Sequence, residues 1–146
     1  MYKIKKNFRV PTGHRLSKHK GDCKNFHGHN LKIEVTIQSE VLNDNDMVMD
    51  FKILSDFMKP ILQTLDHCFL LNSKDEKYVK FAMSENLKLF TFVNVDPTAE
   101  IIAKSIYDYL VLKIGEQEHI KVRKVKVWEN DDSSAVYEAT EPARLG

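Results

Sequence analysis

The chain has only two cysteines, Cys23 and Cys68, in 146 residues. That is too few for a disulfide framework, and a reducing compartment keeps both as thiols. Long apolar runs are missing too. No stretch approaches the roughly 20 residues that cross a bilayer, and Met1-Tyr2-Lys3-Ile4-Lys5-Lys6 lacks the apolar segment of a signal peptide. These absences predict a cytoplasmic protein. Charge is balanced, with 22 Lys and Arg against 21 Asp and Glu and a formal net charge of +1. The chain therefore carries no bulk electrostatic footprint for nucleic acid or membrane, and the expected partner is a small molecule. With no fixed-period repeat, the length predicts a single domain over residues 1–146 with a modest core.

What is present reads as alternating strands and helices. Tyr2, Ile4, Phe8 and Val10 fall on one side of a period-2 pattern, which predicts a strand over residues 2–10 ended by Pro11-Thr12-Gly13. A polar loop follows as far as Asn25. Leu31, Ile33, Val35 and Ile37 then alternate with Lys32, Glu34, Thr36 and Gln38, the clearest strand in the chain. After the acidic turn at residues 43–46, Asp50 is placed to cap a helix bearing Ile53, Leu54, Phe57, Met58, Ile61, Leu62 and Leu65. Pro60 lies inside it and predicts a kink, because a proline removes one helical donor at a cost of about 3 kcal/mol. Residues 72–95 carry a weaker pattern, with a short helix near Tyr78 and Met83 and a short extended piece near Leu89 and Val93.

Asp96-Pro97 reads as an N-cap followed by proline at the first helical position, leading into Ile101, Ile102, Ile106, Tyr109 and Leu110 at helical spacing. Two further strands are expected, one over residues 122–129 and one at residues 135–137. The order ββααββ predicts an α+β fold: a four-stranded antiparallel sheet with two helices on one face.

His14, Cys23, His27 and His29 lie within sixteen residues. In an extended chain His27 and His29 project to the same face, and Gly28 between them leaves room near the backbone. With His14 as a third nitrogen ligand, the set suits zinc with a coordination position left open. Cys23 is either a fourth ligand, which closes the site, or a thiol near the metal that moves protons; spacing alone leaves both readings open. Asp66-His67 supplies a carboxylate-oriented imidazole that can relay a proton. Glu129 can accept two N–H groups from a guanidine-like ligand edge, while Thr98 and Glu100 open the second helix. His19 and His119 stand in polar segments and receive no role, and Cys68 reads as core.

Gly13-His14-Arg15-Leu16, Cys23 with His27-Gly28-His29-Asn30, Met47-Val48-Met49-Asp50-Phe51, Leu65-Asp66-His67, Pro97-Thr98-Ala99-Glu100 and Val127-Trp128-Glu129 together resemble the 6-pyruvoyltetrahydropterin synthase family. Within it, the chain is most similar to the bacterial 6-carboxytetrahydropterin synthases of queuosine biosynthesis. The resemblance implies the tunnelling fold and a homohexamer made of two trimers, with sites at subunit interfaces. It implies that His14, His27 and His29 hold Zn2+, that Cys23 is the proton acceptor, and that Asp66 and His67 form its relay. Glu129 would anchor the pterin ring, with Thr98 and Glu100 in the same pocket. The implied reaction converts 7,8-dihydroneopterin triphosphate to 6-carboxytetrahydropterin, acetaldehyde and triphosphate. Two alternatives accompany it: a 6-pyruvoyltetrahydropterin product, and a non-catalytic zinc-stabilised pterin-binding subunit. The long segment at residues 72–95 departs from the compact members of that family.

Overall fold

The computed structural model describes residues 1–115, 119–138 and 140. Among them the strands form one six-stranded mixed sheet in the order β4-β3-β1-β2-β5-β6. Its centre is an antiparallel ladder between β1 (Tyr2–His14) and β2 (His27–Ser39), paired continuously from Tyr2 with Ser39 to His14 with His27. On one side β5 (Ile120–Trp128) pairs antiparallel with β2, and β6 (Ser134–Glu138) with β5. On the other side β3 (Phe69–Asn72) runs parallel to β1, and β4 (Leu89–Phe92) parallel to β3.

The expected antiparallel strands are thus present, but the four-stranded ββααββ description falls short by two strands and a helix. The unforeseen strand, β3, is four residues of unbroken apolar or amide character, Phe69-Leu70-Leu71-Asn72, nearly all buried. A strand buried on both faces shows no alternation to read. The extra helix, α2 (Glu76–Ser84), and β4 occupy the weakly patterned segment where a short helix and a short extended piece were expected.

The expected end of the first strand at Pro11 is also corrected, because β1 continues through Pro11 to His14. The Pro11 carbonyl accepts from His67 N at 2.9 Å, so the hydrogen-bonding edge of Pro11 faces the turn after α1, away from β2. No ladder bond therefore needs the N–H that proline lacks. His14 consequently belongs to a strand, with its backbone direction fixed on both sides.

One face of the sheet is covered by α1 (Phe51–Leu65) and α3 (Ala99–Ile114). Val10, Leu31, Ile33, Val35, Ile37, Val125 and Val127 meet Leu54, Met58, Ile102, Ile106 and Leu110 in one core. Asp50 caps α1 as expected, Oδ1 accepting from Lys52 N at 2.7 Å. Pro60 lies on the exposed side of α1, and the helix runs unbroken through it because the buried stripe of Leu54, Met58 and Leu65 outweighs one missing bond. The cap of α3 is a correction: Thr98, not Asp96, is the N-cap, its Oγ1 accepting from Ile101 N.

Replacing Pro60 by Ala restores a helical donor on an exposed face and is expected to raise stability by about 1 kcal/mol or more. Urea denaturation of the two proteins measures this, and an unchanged or lower midpoint would refute it.

Candidate metal centre

The ladder register assembles the histidines. His14 is directly opposite His27, and Thr12 is opposite His29, so the three imidazoles continue the same face that carries Val10, Leu31 and Ile33. The core thus passes from aliphatic to imidazole at one end of the sheet. The Nε2 atoms of His14 and His27 are 2.9 Å apart, and those of His14 and His29 are 3.1 Å apart.

The opposite ring nitrogens settle what this contact is. His14 Nδ1 is 2.8 Å from the Pro97 carbonyl, and His27 Nδ1 is 2.8 Å from the Asn25 carbonyl. A carbonyl only accepts, so both Nδ1 atoms carry hydrogen, and in the neutral rings both Nε2 atoms present lone pairs to one another. Facing lone pairs repel unless a cation stands between them. Nitrogen ligands about 2.0–2.1 Å from a tetrahedral metal are spaced about 3.3 Å apart, close to the observed separations. The residues present therefore fit a divalent metal ion, and among the described residues His14, His27 and His29 are the one cluster that could hold it. Burial, the largest influence, lowers the pKa of His14; the neighbouring His27 and His29 act the same way, against the Pro97 hydrogen bond and Glu129. A neutral imidazole is the form a metal needs.

Glu129 lies one residue beyond the Lys32–Trp128 pair and brings its carboxylate to 4.0 Å from His14 Nε2 and 3.8 Å from His29 Nε2. Gly28 has a stricter role than leaving room: a Cβ there would lie 2.9 Å from the Thr12 carbonyl oxygen. It allows β1 and β2 to approach where the ligands face each other, and it stands directly opposite Gly13.

Beside this lies an open cavity of about 520 Å³, lined by Gly13, Phe26, Gly28, Phe69, His67 and the His27 and His29 segments. His67 reaches it through an unusual backbone. Its φ is +52°, a left-handed conformation that glycine adopts freely and histidine does not. Main-chain bonds hold it there: His67 N donates to Pro11 O, while Gly13 N and Thr12 Oγ1 both donate to Cys68 O. Its Nδ1 is 2.7 Å from Asp66 Oδ1, so the expected imidazole–carboxylate pair is formed, on the surface.

The family model described as 6-pyruvoyl tetrahydropterin synthase matches residues 3–140. The chain belongs to that family. It is 34% identical to 6-carboxy-5,6,7,8-tetrahydropterin synthase of Aquifex aeolicus (strain VF5), covering 93% of this chain and 97% of that protein. It is 31% identical to the protein of the same name from Haemophilus influenzae (strain KW20 / Rd), covering 94% and 99%. The fold matches that of Caenorhabditis elegans 6-pyruvoyl tetrahydropterin synthase with a TM-score of 0.71 at 22% identity, covering 95% and 96%.

As a member of this synthase family, the chain distributes its expected site residues unevenly. His14, His27, His29 and Glu129 converge. Cys23 sits in a 3-10 turn, Asp22–Lys24, half-buried and outside the histidine cluster. Thr98 follows the residue whose carbonyl orients His14, and Glu100 is exposed in the first turn of α3. The carbonyls of Pro97 and Asn25 are the orienting groups that sequence reading missed, and main-chain acceptors leave no residue-type signal. Cys68 is core, as expected, and burial raises its thiol pKa.

Metal affinity is expected to fall on acidification, since an imidazole must be neutral to bind. In metal-free protein the same acidification costs stability: His14 has a lower pKa folded than unfolded, so its contribution is complete above about 6.5 and is lost as pH falls toward the folded value. Urea midpoints at pH 7.5 and 5.5 with chelator present should differ less in His14→Gln than in the parent, and an equal difference would count against this. Gly28→Ala must separate β1 from β2 and should weaken metal binding by about 10- to 100-fold, the range seen when groups supporting ligands are disturbed. A competition titration giving parental affinity would disprove the close-approach argument.

Proposed function

We propose that the protein is a zinc-dependent 6-carboxy-5,6,7,8-tetrahydropterin synthase, converting 7,8-dihydroneopterin triphosphate to 6-carboxytetrahydropterin, acetaldehyde and triphosphate in queuosine biosynthesis. The observation that carries the reading is the convergence of three Nε2 atoms with Glu129 beside them, in a chain whose relatives bear that name.

In this reading His14, His27 and His29 hold Zn2+, which when bound supplies Lewis acidity that makes the substrate side-chain hydroxyls better proton donors. Glu129 accepts two N–H groups of the pterin ring and so fixes its orientation. Thr98 and Glu100 complete the pocket. Cys23 takes the proton released from the side chain as a thiolate base, and His67, oriented by Asp66, moves the charge onward. Triphosphate leaves, and hydrolytic carbon–carbon cleavage, in which one water supplies the carboxylate oxygen, releases acetaldehyde.

Support for a homohexamer comes from the sheet and the relay. β4 and β6 each leave one edge unpaired among the described residues, and edges of this kind are normally covered. The side chain of His67 is 81% exposed, which suits a site completed by another copy. No helix among the described residues is long and apolar enough to cross a membrane.

Mass spectrometry of the products formed from 7,8-dihydroneopterin triphosphate tests the activity. Equimolar 6-carboxytetrahydropterin and acetaldehyde are expected; a 6-pyruvoyl product without acetaldehyde would reassign the reaction, and binding without turnover would make the protein a pterin-binding subunit. Cys23→Ala should lose turnover by about 100-fold or more while retaining zinc, in line with removal of a general base. Loss of zinc in that variant would instead make Cys23 a ligand.

A further inference from the structure

The loop at residues 15–26 joins β1 to β2 and carries Cys23, and it has little regular structure beyond one 3-10 turn. Inside it Leu16 N donates to the Cys23 carbonyl at 3.0 Å and His19 N to the Leu16 carbonyl at 3.1 Å, and short-range bonds close the 3-10 turn. Its two ends are held to the sheet, Arg15 N donating to Leu70 O, the Asn25 carbonyl meeting His27 Nδ1 and Phe26 packing on Phe69. Arg15 also pairs with Asp75 and lies 4.4 Å over the Tyr78 ring, which itself meets Phe26. Between those ends, Ser17 and Lys18 are held by a buried carboxylate.

Asp96 is 7% exposed and faces donors only. Its Oδ1 accepts from Ser17 Oγ at 2.6 Å and from Asn72 Nδ2 at 3.1 Å, and its Oδ2 accepts from Lys18 N at 2.8 Å. Burial pushes the Asp96 pKa up, but these hydrogen bonds together outweigh it and hold the carboxyl below its usual value. With Thr98 acting as the cap of α3, the Asp96 side chain is left to join two distant segments, the loop at Ser17 and Lys18 and the end of β3 at Asn72. Its own neighbour in sequence, Pro97, offers the carbonyl that accepts from His14 Nδ1. A single short path therefore connects the loop of Cys23 to the group that aims His14: Cys23 O to Leu16, Ser17 to Asp96, and Asp96 to Pro97.

We propose that Asp96 is a positioning residue, whose carboxylate fixes the loop bearing Cys23 in register with the segment that orients His14. Its effect on turnover rests on the assignment of Cys23 as the base, while its effect on loop placement does not. The chemistry demands a carboxylate at this position. In Asp96→Asn one acceptor becomes an amide NH2 that faces a donor. Lys18 N cannot accept, and Asn72 cannot turn over without losing the bond from Lys74 N to its Oδ1, which is 2.9 Å long. At least one of the three hydrogen bonds breaks: the one from Lys18 N, or, with Ser17 Oγ turned to accept, the one from Asn72 Nδ2 that seats the carboxylate under the loop. A displacement of about 1 Å at a reacting group can cost about 100-fold in rate.

The test compares zinc-loaded parent, Asp96→Asn, Ser17→Ala and the double variant. Ser17→Ala removes only the shortest bond from a surface loop and guards against a fold lost in Asp96→Asn. Alkylation of Cys23 by iodoacetamide, followed at one pH with buried Cys68 as internal reference, reads loop placement without reference to activity. Asp96→Asn should alkylate about threefold faster or more, through local opening of the loop. Its kcat should fall about 10- to 100-fold, with KM within about twofold and zinc per chain unchanged. Ser17→Ala should show the same pattern in weaker form, and the double variant should be no worse than Asp96→Asn, because both act through one tether. Parental alkylation and kcat in both single variants would overturn the proposal. So would a lowered melting temperature alone, or strictly additive effects. If Cys23→Ala retains turnover, the assignment of the base fails; faster alkylation in Asp96→Asn would still uphold the tether.

Discussion

The ladder between β1 and β2 is the constraint on which the other features depend. Thirteen consecutive cross-strand pairs set which residues share a face, and that single register places Ile4, Phe8 and Val10 beside Ile37, Ile33 and Leu31 in the core. It also places His14 opposite His27. Because side chains alternate strictly, a one-residue slip would send every core residue of one strand to solvent and part the histidines at the same time. The hydrophobic driving force for folding therefore selects the metal geometry as well.

Around this ladder the molecule supports its imidazoles with main-chain atoms. The carbonyls of Pro97 and Asn25 hold two rings in one tautomer, and the Thr12 carbonyl sets how closely β2 can approach at Gly28. Such partners come from the ends of strands and helices, which are held by many bonds and do not rotate as side chains do. The turn at Asp66, His67 and Cys68 is sewn to Pro11, Thr12 and Gly13 in the same manner. The three-histidine cluster and the exposed imidazole–carboxylate pair thus share one strand as a common support.

Much of this was legible in the residues, and the failures have physical causes. β2 alternates because one face is core and the other is open, so its pattern survives in sequence; α1 and α3 keep their apolar stripes for the same reason. β3 is buried on both sides and leaves no period. Proline at 11 reads as a terminator, because sequence does not tell which way a strand residue turns its N–H. Asp96 before proline has the composition of a helix cap, and only the fold shows Thr98 in that place with Asp96 drawn away by Ser17, Lys18 and Asn72. The three histidines were readable as a cluster, since neighbours in sequence on paired strands remain neighbours in space. Glu129 was readable as a strand-end carboxylate able to accept two N–H groups, while its closeness to His14 and His29 is a property of the sheet.

The left-handed backbone at His67 sets stability and chemistry against each other at one position. Glycine or asparagine would end α1 there with less strain, and a sequence optimised for stability alone would drift toward them. Histidine instead gains a fixed point of departure for an exposed side chain whose one side-chain partner is Asp66. Its imidazole is thereby aimed from both ends, by its own main chain at Cα and by a neighbouring carboxylate at Nδ1.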